Sequence, residues 1–347
     1  MNTLDITNFS LPQLTELLVS LGLPKYRAIQ IFAWLYRPHI SSFSQMTDLP
    51  KELRNTLADE IVFEWPQIAA VERSKDGTAK YGFKLKDDRF IEAVLIPEET
   101  RSTLCVSSQV GCAMGCEFCL TGSLGFKRNL TPGEIVGQVV KVRDWILDMD
   151  ESIPGLNNLV FMGMGEPLAN FDNLLVALDI LTEQRGLDFS ERRITVSTCG
   201  LVHKIIELGE KTKVNLAVSL HSVNDAVRSQ LMPINRTYPV AKLLEACRKF
   251  PMPKRKRIMF EYVLIKDIND SVADAEMLAE KLKGIPCKIN LLPFNESKEV
   301  VFRKPSDEQI ELFQKTLWNA GYTVLVRSSR GADISAACGQ LAGKKSL

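Results

Sequence analysis

The chain has 347 residues, 45% of them hydrophobic, with 43 Lys and Arg against 42 Asp and Glu for a formal net charge of +1. That composition reads as an ordinary soluble globular protein of two domains or one large barrel with an appendage, and it carries no global field that would announce nucleic acid. No run approaches the roughly 18 apolar residues of a membrane span, and Met1-Asn2-Thr3-Leu4-Asp5 offers neither the basic nor the apolar part of a leader, so the expected setting is a reducing cytoplasm in which eight scattered cysteines persist as thiols.

Residues 1–65 read as a small helical accessory module. Ser10 precedes Leu11-Pro12 and an amphipathic run to Leu21, with proline close to the start where a helix tolerates it. Tyr26 to Leu35 is a second helix with Ile29, Ile31, Phe32 and Leu35 as its inner face. Pro50 to Ile61 is a third. Residues 66–102 change period. Ile68 to Val71, Lys80 to Leu85 and Phe90 to Ile96 are β-rich runs separated by Lys75-Asp76-Gly77 and Lys86-Asp87-Asp88. Asp-Gly between such runs signals a hairpin, so this stretch predicts an antiparallel β extension.

From residue 103 to 347 strands and helices alternate. The predicted strands are Thr103 to Val110, Asn158 to Met164, Arg193 to Thr198, Val214 to His221, Arg257 to Leu264 and Lys288 to Leu292. The predicted helices are Pro132 to Met149, Asp172 to Arg185, Val202 to Leu208, Val240 to Lys249, Ala273 to Leu282 and Asp307 to Asn319. Such alternation implies a parallel sheet with helical crossovers. A full (β/α)8 barrel needs eight units, so the fold class is α/β with a partial (β/α)6 barrel, and Thr323 to Val326 is one more strand at its edge. Function in parallel α/β folds gathers at the carboxyl ends of strands. Gly163-Met164-Gly165-Glu166-Pro167, Ser197-Thr198-Cys199-Gly200, Ser219-Leu220-His221-Ser222 and Leu292-Pro293-Phe294-Asn295 all fall there.

So does Cys112-Ala113-Met114-Gly115-Cys116-Glu117-Phe118-Cys119, after the first strand. Three thiols on one loop are an odd number. Tetrahedral zinc takes four ligands, or three and an open position, and a cubane iron–sulfur cluster is normally held by four thiolates. Three would leave one iron open to a substrate. A partial zinc knuckle or three unrelated thiols is the plainer alternative.

C-x3-C-x2-C after the first strand of such a chain resembles the radical S-adenosylmethionine (SAM) superfamily. Cys105-Val106-Ser107-Ser108-Gln109-Val110-Gly111-Cys112, Phe126-x-Arg128-Asn129-Leu130, Gly163 to Pro167 and Asp333-Ile334-Ser335-Ala336-Ala337-Cys338-Gly339-Gln340-Leu341 resemble the RNA adenine methyltransferases of the RlmN/Cfr type. Tyr26-Arg27-Ala28 and Gln30 are similar to that family's accessory domain. Arg330-Gly331-Ala332-Asp333-Ile334 looks more like the RlmN branch, which methylates adenine at carbon 2, than the Cfr branch, which methylates carbon 8.

The resemblance implies a mechanism. Carbon 2 of adenine is not a nucleophile, so a radical route is required. By resemblance Cys112, Cys116 and Cys119 hold one [4Fe–4S] cluster whose open iron chelates SAM, and two SAM are used per turnover. Cys338 takes a methyl group from the first, which needs a thiolate. A deoxyadenosyl radical made from the second removes hydrogen from that methyl, and the carbon radical adds to the base as a protein–RNA thioether. Glu92 is the implied proton acceptor, with Cys105 a competing candidate for that proton. Cys105 is the implied resolving thiol, closing a disulfide with Cys338 as product leaves. Glu166, Pro167, Ser197, Ser219, Leu220, His221 and Asn295 match SAM contacts, and Gly163 and Gly165 let backbone approach a ligand. Without the resemblance, Glu92 reads as a solvated strand residue and Cys338 as a buried small hydrophobe. Cys199, Cys247 and Cys287 read as structural thiols.

The implied partners are large-subunit (23S) rRNA, tRNA and a low-potential electron donor such as flavodoxin or ferredoxin, with no membrane. Lys254-Arg255-Lys256-Arg257 and Lys127-Arg128 are basic clusters expected near the mouth or its flank, where they could meet phosphates. Two other classes stay open. An activase that makes a glycyl radical would leave the Cys105 and Cys338 pair without a task. A non-catalytic iron–sulfur carrier would not need the polar strand ends.

Overall fold

The structure, a computed structural model, describes residues 4–149, 153–253, 256–296 and 301–342. The N-terminal module holds α1 (Leu11–Ser20), α2 (Lys25–Leu35) and α3 (Lys51–Glu60). Ser10 starts α1 in a capping box with Gln13, which satisfies backbone N–H groups that lack a helical partner. A parallel strand pair, Leu4↔Ile61 and Asp5↔Val62, joins the two ends of the module. The inner face of α2 is Ala28, Ile31, Phe32 and Leu35, whereas Ile29 is 39% exposed. The buried four keep the i, i+3, i+4, i+7 stripe of a helix, and Ile29 is off it.

One sheet organises the rest. Its strands are β1 (Gln67–Arg73), β2 (Ala79–Lys84), β3 (Phe90–Pro97), β4 (Ser102–Cys105), β5 (Leu156–Phe161), β6 (Ile194–Thr198), β7 (Asn215–Ser219), β8 (Ile258–Leu264), β9 (Cys287–Pro293) and β10 (Val324–Val326). They lie in sequential order. β1 to β4 pair antiparallel and β4 to β10 parallel. The β extension therefore continues the main sheet through the β3–β4 ladder. β1 and β10 are its two edges, so the barrel is partial and open, as expected.

The crossovers are α4 (Pro132–Met149), α5 (Phe171–Thr182), α6 (Val202–Lys211), α7 (Asp225–Leu231), α8 (Val240–Lys249), α9 (Val272–Lys281) and α10 (Asp307–Asn319). They bury apolar faces such as Ile135, Val139, Leu174, Leu178, Leu278 and Phe313. At roughly 25 cal/mol per Å² of apolar surface removed from water, that burial is the main favourable contribution to the fold. Helix α7 was not expected. Its seven residues bury only Arg228 and Leu231, too few to show a period.

β4 is shorter than the predicted Thr103 to Val110. After Cys105 the backbone leaves the ladder. Gln138 of α4 accepts the Ser107 N–H (2.8 Å) and donates to the Ser107 carbonyl (3.0 Å), which satisfies both backbone groups of that buried residue. Gln109 and Val110 then pair with Asn129 and Arg128. Among the described residues no helix is long and apolar enough to cross a membrane.

Candidate active site

One cavity opens at the carboxyl ends of the parallel strands. Its walls are Cys112, Cys116 and Cys119 after β4, Gly163, Gly165, Glu166 and Pro167 after β5, Ser197 and Cys199, Ser219 and His221, Glu261 in β8, Leu292 in β9, and Cys338 with Gly339. A larger cavity, about 780 Å³, lies between Asp5, Trp65, Lys84 and Glu134. It has no cysteine or histidine in its walls, so size does not mark the chemistry here.

The three-cysteine loop is shaped by glycines. Gly111 has φ 73°, and a Cβ there would stand 1.9 Å from the Gly125 carbonyl oxygen. All three thiols are half-buried. Burial pushes Cys112 up to about 11, with Glu166 and Cys119 adding to it. Burial also pushes Cys116 up, with Cys119 and Cys112 adding to it. Three sulfurs that repel one another as thiolates on one cavity wall suit a cationic group between them. Among the described residues no three His, Cys, Asp or Glu side chains are gathered for a single metal ion. A cluster that takes each cysteine on a different iron does not require that. The donor set thus fits a soft iron–sulfur group.

Glu166 is buried. Its Oε1 accepts the Leu168 N–H (3.0 Å) and its Oε2 accepts the Cys199 N–H (2.7 Å). Burial nevertheless raises its carboxyl. Each oxygen keeps acceptor capacity toward the cavity. The nearby glycines Gly163 and Gly165 make room for backbone. A Cβ on Gly163 would lie 2.7 Å from the Val106 carbonyl, and one on Gly165, at φ 96°, 2.5 Å from Gln109 Cβ. They admit the departing 106–109 backbone, and both also line the cavity.

His221 is buried at φ 56°, a left-handed conformation that costs a residue with a Cβ. Asn269 holds it there by donating to the His221 carbonyl (2.6 Å). Its ring packs edge-on against Phe118, 4.8 Å between centroids. Burial, then the charge of Arg228, lowers it to about 3. The neutral Nδ1 accepts the Val263 N–H (3.0 Å), so the proton sits on Nε2. Ser197, Ser219 and Pro167 share the same walls.

Cys338 is exposed on one wall of the cavity. Crowding by protein atoms and the charge of Glu261 push its thiol upward; the exposed surface limits that push. Cys105 is buried, which raises its thiol, with Cys338 adding to the effect. The two sulfurs are within electrostatic reach, yet both are free thiols. The expected bridge is therefore not formed in this structure, where hydrogen bonds on either side of Cys338 hold its segment.

Glu92 is 2% exposed rather than solvated, because β3 is covered on both faces. It does not line the cavity. Its Oε2 accepts the Ala342 N–H (2.8 Å), and Lys80 Nζ stands 3.9 Å from Oε1.

Two expected SAM contacts fall outside the cavity walls. The Leu220 side chain, just past the end of β7, is fully buried in the core. Asn295 accepts a hydrogen bond from Ser329 instead. The basic clusters also differ from expectation. Lys256 and Arg257 directly precede β8, at the opposite end of the sheet from the mouth, and bond the Lys213 carbonyl and Thr323; Lys254 and Arg255 lie outside the described residues. Arg128 is committed to Asp87 and Glu134.

Three functional positions were missed. Glu261 is a buried carboxylate on the cavity floor, bonded by Asn290 (2.9 Å). Its signal was a lone charge in an otherwise apolar strand. Cys199, expected at a strand end but read as a structural thiol, lines the cavity, and its thiol bonds Glu166. Arg228 of α7 donates to the carbonyls of Cys199 (2.7 Å), Ser219 (3.1 Å) and Leu220 (3.0 Å), bracing two strand ends at once.

The chain matches two family models, the ribosomal RNA large subunit methyltransferase N-terminal domain over residues 4–63 and the radical SAM superfamily over residues 106–279. It is 53% identical over 343 residues to the dual-specificity RNA methyltransferase RlmN of Desulfotalea psychrophila, spanning 98% of this chain and 95% of that one. It is likewise 53% identical to the protein of the same name from Geobacter sulfurreducens, over 98% and 92%. The crystal structure of a radical SAM methyltransferase from Sphaerobacter thermophilus superposes with a TM-score of 0.92 at 45% identity, over 98% of this chain and 100% of the other.

Proposed function

The chain belongs to the RlmN family of radical SAM RNA methyltransferases, and we propose that it methylates carbon 2 of adenosine in large-subunit rRNA and in tRNA through a methylated Cys338. The observation that carries this reading is the tie between Cys338 and the three-cysteine loop. The Gly339 carbonyl accepts the Leu120 N–H, and the Leu341 carbonyl accepts the Thr121 hydroxyl, both at 2.7 Å. A nucleophilic thiol and a cluster loop thus share one cavity.

Cys112, Cys116 and Cys119 would hold a [4Fe–4S] cluster, which when bound would supply the one-electron reduction that cleaves SAM. The other residues do ordinary polar work. Glu166 accepts hydrogen bonds from the SAM ammonium, and Ser197, Ser219 and the Nε2–H of His221 orient the rest. Cys338 loses its proton and takes a methyl group at Sγ. Glu92 receives the proton from carbon 2 of the thioether adduct once its hydrogen bond from the Ala342 N–H is released. Cys105 attacks Cys338 Sγ, so that a disulfide forms as the carbon–sulfur bond breaks; the methylene carbon keeps that electron pair and takes up the proton lost by the Cys105 thiol, which completes the methyl group on the base. A low-potential donor such as flavodoxin or ferredoxin supplies electrons, and two SAM are consumed per turnover.

The test is nucleoside analysis of RNA from a deletion strain, with intact-mass analysis of the anaerobically purified protein. We expect 2-methyladenosine to vanish from rRNA and tRNA, and one extra methyl on Cys338. Loss of 8-methyladenosine instead, or an unmethylated Cys338 in protein with intact cluster and SAM, overturns the reading.

A further inference from the structure

Cys338 is carried by a segment fastened at both ends. After the cysteine the fasteners are Leu120 and Thr121 on the cluster loop, with Glu92 on Ala342. Before it they come from the turn between β1 and β2, outside the cavity. Asp76 Oδ2 accepts the Gly331 N–H (3.0 Å), while its Oδ1 accepts the Thr78 N–H (2.9 Å). Asp333 accepts the Ser74 hydroxyl (2.6 Å) and the Lys75 N–H (3.3 Å). Lys80 donates to the Ile334 carbonyl (2.7 Å).

The backbone between these points is not relaxed. Gly331 has φ 63° and Ser335 φ 52°, and the left-handed conformation is unfavourable for a serine because its Cβ crowds the backbone. A Cβ on Gly331 would lie 2.9 Å from Thr78 Cγ2 and 2.8 Å from Ala336 Cβ, so the segment is pressed against the turn that holds it. Burial raises the Asp76 carboxyl, but the Gly331 and Thr78 bonds outweigh it and set it at about 2. The carboxylate form is the one the tether uses. An exposed segment would otherwise sample many positions. Anchoring converts the approach of its thiol to the cavity into an intramolecular event, where a misplacement of about 1 Å can cost on the order of 100-fold in rate.

We propose that the Ser74-to-Thr78 turn positions Cys338 and that Asp76, far from the cluster loop in sequence and absent from the cavity walls, is the positioning residue that fixes its reach. This rests on reading Cys338 as the methyl-accepting residue. The test compares wild type with Asp76→Ala, Asp76→Asn and Asp333→Asn, as full-length proteins with their cluster. Three quantities are followed: iron per chain, amide hydrogen exchange across residues 331–338, and the time course of the methyl adduct on Cys338 by mass spectrometry.

Asp76→Ala should exchange faster across that segment and methylate Cys338 about 10- to 100-fold more slowly, with iron and the KM for SAM unchanged. Asp76→Asn keeps an acceptor oxygen and should fall between. Asp333→Asn should move the same two readouts in the same direction. Unchanged exchange and rate in Asp76→Ala overturn the proposal, and so does a loss of iron that parallels the loss of rate. If wild-type Cys338 never gains a methyl group, the methyl-acceptor reading fails, and the exchange data still decide whether the turn anchors the segment.

Discussion

Replacing Arg228 by Met is the sharpest test of how the site is braced. The side chain has no exposed surface. Its guanidinium donates to the Leu220, Cys199 and Ser219 carbonyls and to Asn235 Oδ1 (2.9 Å). Methionine fills much of the volume and supplies no donor. Hydrogen bonds to a charged group are worth about 1.5–3 kcal/mol each, so four lost together set a ceiling of about 6–12 kcal/mol. Removing the cation also removes its own burial cost, several kcal/mol. The difference is a destabilisation of about 3–5 kcal/mol, a large share of the about 5–15 kcal/mol that holds a typical domain. For a chain of 347 residues that corresponds to a Tm lower by roughly 4–7 °C. The assay is anaerobic scanning calorimetry at one scan rate, paired with equilibrium SAM binding, because the released carbonyls end β6 and β7 at the cavity. Arg228→Lys keeps the charge but loses the fork and should fall between. A Tm for Arg228→Met within about 2 °C of wild type would refute the bracing argument.

Three further expectations follow from the same geometry. Gly111→Ala puts a Cβ against the Gly125 carbonyl at a left-handed φ, so the protein should purify folded but lose most of its iron and labile sulfide; a full complement would show that the loop adapts. Cys105→Ala removes the thiol proposed to resolve the adduct and should accumulate protein cross-linked to RNA on denaturing gels; free methylated RNA at the normal rate would reject that role. His221 is held at about 3 when folded against about 6.5 unfolded. Its folded value is depressed, so the unfolded chain binds more protons between those limits, and stability falls as pH drops from about 6.5 toward 3, at most about 1.4 kcal/mol per pH unit. Wild type and His221→Gln compared by denaturation across pH 4–7 should therefore differ in slope, and equal slopes would sink the assignment of a neutral imidazole.

Much of this protein is legible in one dimension. The helices Pro132–Met149, Val240–Lys249 and Asp307–Asn319 follow from period and capping. The open parallel sheet follows from alternation, and the cluster loop from cysteine spacing. The failures share a cause. Ile29 was judged from its neighbours in sequence, while its direction is set by the packing of the module core. Glu92 looked like a solvated strand carboxylate because alternation cannot report that both faces of β3 are covered. Arg228, in a helix too short to show a pattern, could not be seen at all.

Local chemistry thus determined the element types, the strand ends where function collects and the three thiols that invite a soft metal cluster, because each depends on residues a few positions apart. Tertiary structure alone decided that Cys338 stands in the cavity 219 positions after Cys119, that an aspartate in a distant hairpin turn holds it, and that His221 is neutral. Those outcomes depend on burial and on bonds between segments far apart in the chain, and no local pattern encodes which distant group will satisfy a given donor or charge.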